Sequence, residues 1–151
     1  MQENTILLVE DNSDDEALAL RAFRHCEFVS KVVVVRDGAE ALDYLFGTGQ
    51  YAGRDTTEQP RLILLDMKLP KLNGLDVLRR IRQDERTRYH PVVLMTSSRQ
   101  ETDIIAGYSL GANSYVQKPV NFDEFTDAMR DLGRYWMQIN RIPNLAIKSH
   151  H

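Results

Sequence analysis

With 151 residues, 42% of them hydrophobic and 27% charged, the chain has the size and composition of one folded domain with a substantial core. A formal net charge of −3 gives the whole molecule no electrostatic pull toward nucleic acid or an anionic membrane. A single cysteine, Cys26, excludes an internal disulfide and a thiolate metal cluster, and no apolar stretch reaches membrane-spanning length.

Met1 to Asn4 is polar, and the apolar run behind it is short and ends in acids, unlike a secretory leader. A cytoplasmic location is the expectation. Thr5 to Val9 reads as a strand ending at Glu10-Asp11. Ser13 or Asp14 is the expected N-cap of a helix whose apolar positions include Leu18, Ala22 and Phe23. Val32 to Val35, β-branched throughout, reads as a buried strand, and Asp37-Gly38 turns into a helix through Leu42, Leu45 and Phe46. Residues 47–60 form a polar, glycine-containing connection longer than most, expected to be either flexible or functional.

Leu62 to Leu65 is a continuous apolar run that stops abruptly at Asp66, and the loop Met67-Lys68-Leu69-Pro70-Lys71-Leu72-Asn73 follows. A run of this kind bounded by turn residues reads as a strand buried on both faces. Gly74 to Ile81 reads as helix, Val92 to Met95 as a strand ending in Thr96-Ser97-Ser98, and Ile104 to Leu110 as a short helix closed by Gly111. Asn113 to Gln117 is the last strand, ending at Lys118-Pro119. A final helix from about Asn121 places Phe122, Phe125, Met129, Leu132 and Trp136 on one face. Five strands alternating with five helices imply a parallel sheet covered on both faces. One domain is expected over residues 1–140 with a tail over 141–151; Lys148-Ser149-His150-His151 reads as the remnant of a tag.

Four of the five strands end in chemically capable groups: Glu10-Asp11, Asp66, Thr96 and Lys118. In a parallel sheet these termini share one edge, where open α/β sheets place their ligands. Carboxylates gathered there repel: two charges ~4 Å apart cost about 4 kcal/mol at an effective dielectric near 20. A divalent cation removes that penalty, and hard oxygen ligands with room for water and phosphate oxygens describe a Mg²⁺ site. Lysine offers a point charge to a phosphoryl oxygen and threonine a neutral donor. The set suits phosphoryl transfer to the Asp66 carboxylate.

These residues resemble the receiver domain of two-component response regulators. The acidic pair Glu10 and Asp11, the D-x-x-x-P-x-x-[DN]-G run from Asp66 through Asn73-Gly74, Thr96, and Lys118-Pro119 fill the signature in order. The resemblance implies an α/β, flavodoxin-like (βα)5 fold, a doubly wound parallel five-stranded sheet in strand order 2-1-3-4-5. It implies Asp66 as phosphoacceptor and Mg²⁺ held by Asp11, Asp66 and the backbone carbonyl of Lys68, with Glu10 acting through water. Thr96 and Lys118 would take the phosphoryl oxygens, Thr96 and Tyr115 would form the switch, and Lys118-Pro119 would be cis. Lys68 and Ser97 would tune rates. The expected function is that of a single-domain response regulator, not an enzyme beyond its own phosphorylation and slow dephosphorylation, or else of a phosphorelay intermediate. It would be phosphorylated by a sensor histidine kinase and signal through protein contacts, without binding nucleic acid or membrane. Exposed first-helix residues such as Ala19, Ala22 and Phe23 would set kinase specificity.

The segment from Leu45-Phe46-Gly47 to Pro60-Arg61-Leu62-Ile63, and the tail near Arg134-Tyr135-Trp136 and Arg141-Ile142-Pro143, are similar to small response regulators associated with bacterial phytochrome kinases. That implies a phytochrome partner and a homodimer through the last helix and tail.

Simpler readings exist for several of these residues. Acids after the first strand can cap a helix, and Asp11 to Glu16 fails the calcium-loop spacing. Arg79, Arg80, Arg82, Arg86 and Arg88 read as a solvated helix face. A haloacid-dehalogenase phosphatase also uses a strand-end Asp with Mg²⁺, but it needs an Asp two residues later, where Lys68 stands. A flavin protein of this fold would find its phosphate repelled by Glu10-Asp11.

Overall fold

A computed structural model describes residues 4–119 and 121–143; the expected tag remnant and most of the tail lie outside them. Within these residues the chain alternates β1 (Thr5–Val9), α1 (Ser13–Arg24), β2 (Lys31–Val35), α2 (Gly38–Phe46), β3 (Leu62–Asp66), α3 (Gly74–Gln83), β4 (Val92–Thr96), α4 (Glu101–Ser109), β5 (Ser114–Gln117) and α5 (Phe122–Arg134). The strands form a parallel sheet in the order β2-β1-β3-β4-β5, the expected flavodoxin-like topology.

Each strand feeds two cores, because successive side chains point to opposite faces. Leu7, Val9, Ile63, Leu65 and Leu94 pack with Leu42, Leu45, Val77 and Ile81 from α2 and α3. Ile6, Leu8, Leu62, Leu64 and Val93 pack with Phe23 from α1 and Phe125 and Met129 from α5. Covering both faces explains why β3 and β4 are apolar along their length rather than alternating.

Several local expectations change. The N-cap of α1 is Asn12, whose side chain accepts from the backbone N–H groups of Asp14 and Asp15, both at 3.0 Å. Ala19, Ala22 and Phe23 are buried rather than exposed, because that stripe of α1 is the one laid against the sheet and α5. Helix α4 begins at Glu101; its polar first turn carries no apolar repeat, so the pattern reveals only the part from Ile104. Phe122 stands exposed beneath the guanidinium of Arg21, 5.4 Å from its ring centre, and α5 ends in a π-helical turn, Tyr135–Ile139, that carries Trp136 back toward the core.

The long connection after α2 is tied back to the helix by local contacts. Gly47 ends the helix in the left-handed region (φ 67°), and a 3₁₀ turn follows at Gly49–Tyr51. Arg54 donates to the carbonyls of Tyr44 and Glu58, each at 2.7 Å, and lies 4.0 Å over the Tyr44 ring.

Arg82 is not part of a solvated face. It turns inward to donate to the carbonyls of Gly111, Arg88 and His90 and to Asn113 Oδ1, which ties α3 to the segments that lead into β4 and β5. His90 lies beneath this clasp, and its Nε2 has no hydrogen-bond partner among the described residues. Burial, and secondarily the charge of Arg82, lowers its imidazole from 6.5 to about 4. The unfolded imidazole therefore binds a proton that the folded one refuses between those values. Stability from this group is complete above pH 6.5 and is lost as pH falls toward 4, by on the order of 3 kcal/mol at about 1.4 kcal/mol per pH unit. Urea unfolding of parent and His90→Leu between pH 4 and pH 8 is expected to show a shallower acid limb in the variant.

Candidate functional site

The register of the sheet assembles the site. Asp66 lies opposite Met95 and Thr96 opposite Gln117, so the ends of β3, β4 and β5 are level. Glu10 follows Val9, which is level with Leu65, so it comes to the same edge as Asp66. An open cleft of about 560 Å³ lies above this edge, lined by Asp11, Asp66, Lys68, Thr96, Ser97 and Lys118. Glu10 is buried.

Lys118 follows β5, and its N–H donates to the Thr96 carbonyl at 2.8 Å. Its side chain runs back across the edge and donates from Nζ to Glu10 Oε1 (2.7 Å), Asp66 Oδ2 (2.8 Å) and Asp15 Oδ2 (2.9 Å). An ammonium has three N–H bonds, and all three are taken. Burial alone would lower the lysine's pKa, but the hydrogen bonds it donates to Asp66, Glu10 and Asp15 reverse that and hold the group charged. Glu10 is pushed the other way, up to about 7, chiefly by burial, with Asp66 adding to the rise and Lys118 opposing it.

The loop after β3 holds the other Asp66 oxygen: Oδ1 accepts from the Lys68 N–H at 3.0 Å. Gly74 closes this loop by donating to the Met67 carbonyl at 2.9 Å. A Cβ at Gly74 would collide with the Asp66 backbone carbonyl, which explains the glycine that ends the D-x-x-x-P-x-x-[DN]-G run. No cis peptide bond occurs among the described residues, so the cis Lys118-Pro119 bond implied by the resemblance is not seen; trans is the ordinary preference of such bonds.

Thr96 is buried, and its Oγ1 accepts from the Ser98 N–H at 3.3 Å. Ser98 Oγ donates to Asp103 Oδ2 at 2.6 Å, and the Tyr115 hydroxyl donates to the Ser98 carbonyl at 3.2 Å. Thr96 and Tyr115 thus meet through the backbone of Ser98. Lys68 and Ser97 line the cleft with exposed side chains.

Glu10, Asp11 and Asp66 each place a carboxylate oxygen within 4.8 Å of the other two. This all-oxygen donor set, part exposed and part buried, fits a hard divalent cation. Asp15 joins the site without a signal of its own in the sequence, where it is one of three adjacent acids in the first turn of α1. With Asn12 as N-cap, Asp15 becomes the third helical residue, in the turn that borders the strand ends. Ser98 and Asp103 stand out no better, since a short polar loop carries no periodic signal.

Lys118→Met is expected to lower stability by ~3–5 kcal/mol, the usual cost of removing one partner from a buried ion pair. The deficit should shrink below pH 7, where Glu10 takes up a proton. Urea unfolding in chelator at pH 8 and pH 5 measures both effects.

A response regulator receiver domain model matches residues 6–130. The chain is 40% identical to the probable methanogenesis regulatory protein FilR2 of Methanothrix harundinacea over 141 residues, covering 93% of this chain and 88% of that protein. It is 33% identical to response regulator Rcp1 of Synechocystis sp. over 138 residues, covering 91% of this chain and 92% of that protein. Among solved structures, the phosphorylated cyanobacterial phytochrome response regulator RcpA matches with a TM-score of 0.87 and 36% identity, over 93% of this chain and 99% of that one. The Mn²⁺-bound form of Rcp1 matches with a TM-score of 0.85 and 33% identity, over 93% and 99%.

Proposed function

The chain belongs to the response regulator receiver family, and from that premise we propose that it receives a phosphoryl group on Asp66 from a sensor histidine kinase. The observation that carries this reading is the contact of Lys118 Nζ with Asp66 Oδ2 at 2.8 Å, beside the carboxylates of Glu10 and Asp11. An Asp66 oxygen attacks phosphorus, and the bond from phosphorus to the donor imidazole nitrogen breaks with its electron pair going to nitrogen. The product is an acyl phosphate.

Lys118 donates to one phosphoryl oxygen and Thr96 to another. Glu10, Asp11 and Asp66, with the backbone carbonyl of Lys68, would hold Mg²⁺. When bound, it neutralises carboxylate and phosphoryl charge. The Mn²⁺ of Rcp1 supports a divalent cation in such a site. Lys68 and Ser97, at the mouth of the cleft, govern access of water to the acyl phosphate. The domain occupies residues 1–140, with a tail over 141–151.

Phosphorylation adds roughly −1.5 to −2 charge. As Thr96 moves to meet it, the contact with Ser98 is released and Tyr115 repacks, altering the α4-β5-α5 face. Moving a two-state equilibrium from 1:99 to 99:1 takes about 5.5 kcal/mol, more than one charge-assisted hydrogen bond contributes, so Thr96, Lys118 and the cation act together. The output is a protein contact. A phytochrome kinase as partner is supported by the likeness to RcpA, and Tyr135 and Ile139, exposed at the end of the last helix, support a homodimer there. A cytoplasmic location accords with a kinase partner; among the described residues no helix is long and apolar enough to cross a membrane.

Acetyl phosphate with Mg²⁺ is expected to add the mass of one phosphoryl group to the parent and none to Asp66→Asn. Omitting Mg²⁺ should abolish the gain in the parent. A folded parent that stays unmodified overturns the reading. Lys68→Ala is expected to change the lifetime of the acyl phosphate severalfold, followed by the same mass measurement over time; an unchanged lifetime removes that role.

A further inference from the structure

The chemistry proposed for Asp66 employs Lys118 on a phosphoryl oxygen, yet all three N–H bonds of that ammonium are already donated. One of them must be surrendered when the phosphoryl group arrives. The three acceptors differ: the Lys118 side chain is 12% exposed, those of Glu10 and Asp66 are 6% and 9%, and that of Asp15 is 27%. Asp15 is the acceptor that water can most readily re-solvate. It also stands outside the group of Glu10, Asp11 and Asp66 whose oxygens lie together.

We propose that Asp15 is a positioning residue for Lys118: it holds the ammonium on the α1 side of the site and is the partner given up to the phosphoryl group. The inference rests on the receiver reading above. Asn12 fixes Asp15 in place by accepting from its backbone N–H at 3.0 Å. From there the Asp15 carboxylate has two opposed effects. By drawing Lys118 toward α1 it weakens the lysine's hold on Glu10 and Asp66, and its charge adds to theirs, so a cation binds more readily. The same carboxylate competes with phosphoryl oxygens for one N–H of Lys118, and its charge repels a phosphoryl dianion.

Neutralising Asp15 therefore has opposite consequences for the two ligands. In Asp15→Asn, Mg²⁺ alone should bind about two- to fivefold more weakly, the range for losing one partly solvated charge contact. Beryllofluoride, a phosphoryl analogue, should bind tighter by a similar factor when Mg²⁺ is saturating. Isothermal titration of the full chain measures both. Asp14→Asn is the control, since it removes an equivalent charge from the first turn of α1 where Asp14 makes no ion pair with Lys118.

Opposite shifts in Asp15→Asn, absent from Asp14→Asn, support the proposal. Unchanged affinities, shifts of the same sign, or equal shifts in both variants overturn it and leave Asp15 as a helix-dipole charge. A parent that binds no beryllofluoride, and takes no label from acetyl phosphate, overturns the receiver reading itself. A parent that does both while Asp15→Asn matches it overturns only the role of Asp15.

Discussion

The ammonium of Lys118 among the carboxylates of Glu10, Asp15 and Asp66 is the interaction on which the edge of this sheet depends. These acids reach it from two strand ends and the first turn of a helix, and their mutual repulsion would otherwise push those elements apart. One lysine cannot balance them together with Asp11, so the site is left with excess negative charge at a cleft open to solvent. That surplus makes the arrangement receptive to a cation. The resting site is therefore stable enough to persist and poor enough in positive charge to respond.

A second network lies next to the first. Thr96, Ser98, Asp103 and Tyr115 are joined by hydrogen bonds that run from the end of β4, through the following loop, to α4 and β5. The side chain of Thr96 faces the site and that of Tyr115 contacts the loop, so any movement of Thr96 toward the cleft bears on the Ser98 backbone that Tyr115 holds. Under the proposed function, charge is sensed by the first network and converted to shape by the second. The backbone N–H of Lys118 on the Thr96 carbonyl joins the two.

Much of this was legible in the chain. The strands stood out because a parallel sheet buried on both faces demands unbroken apolar runs, and β1 and β3 fall where such runs lie. Asp66, Thr96 and Lys118 were visible because each polar group interrupts or closes a strand. Less was legible where the deciding partner is remote. Ala19, Ala22 and Phe23 are apolar on any reading, but whether that stripe faces solvent or sheet depends on how α1 lies against α5. Arg82 sits in a run of arginines on a helix, and its guanidinium finds an inward destination where the turn before β4 offers the Arg88 and His90 carbonyls and the chain returns at Gly111 and Asn113.

The sequence by itself determined the alternation of elements, the parallel sheet and the identity of the groups at its chemical edge, because those follow from periodicity and from where apolar runs stop. Tertiary structure alone decided how these groups share their charges. Asp15 is an ordinary first-turn acid until α1 packs and brings it 2.9 Å from a lysine 103 residues away. His90 is an ordinary histidine until burial beneath Arg82 keeps it neutral. Distances between residues far apart in the chain are set by packing, and electrostatic energies depend on those distances and on burial.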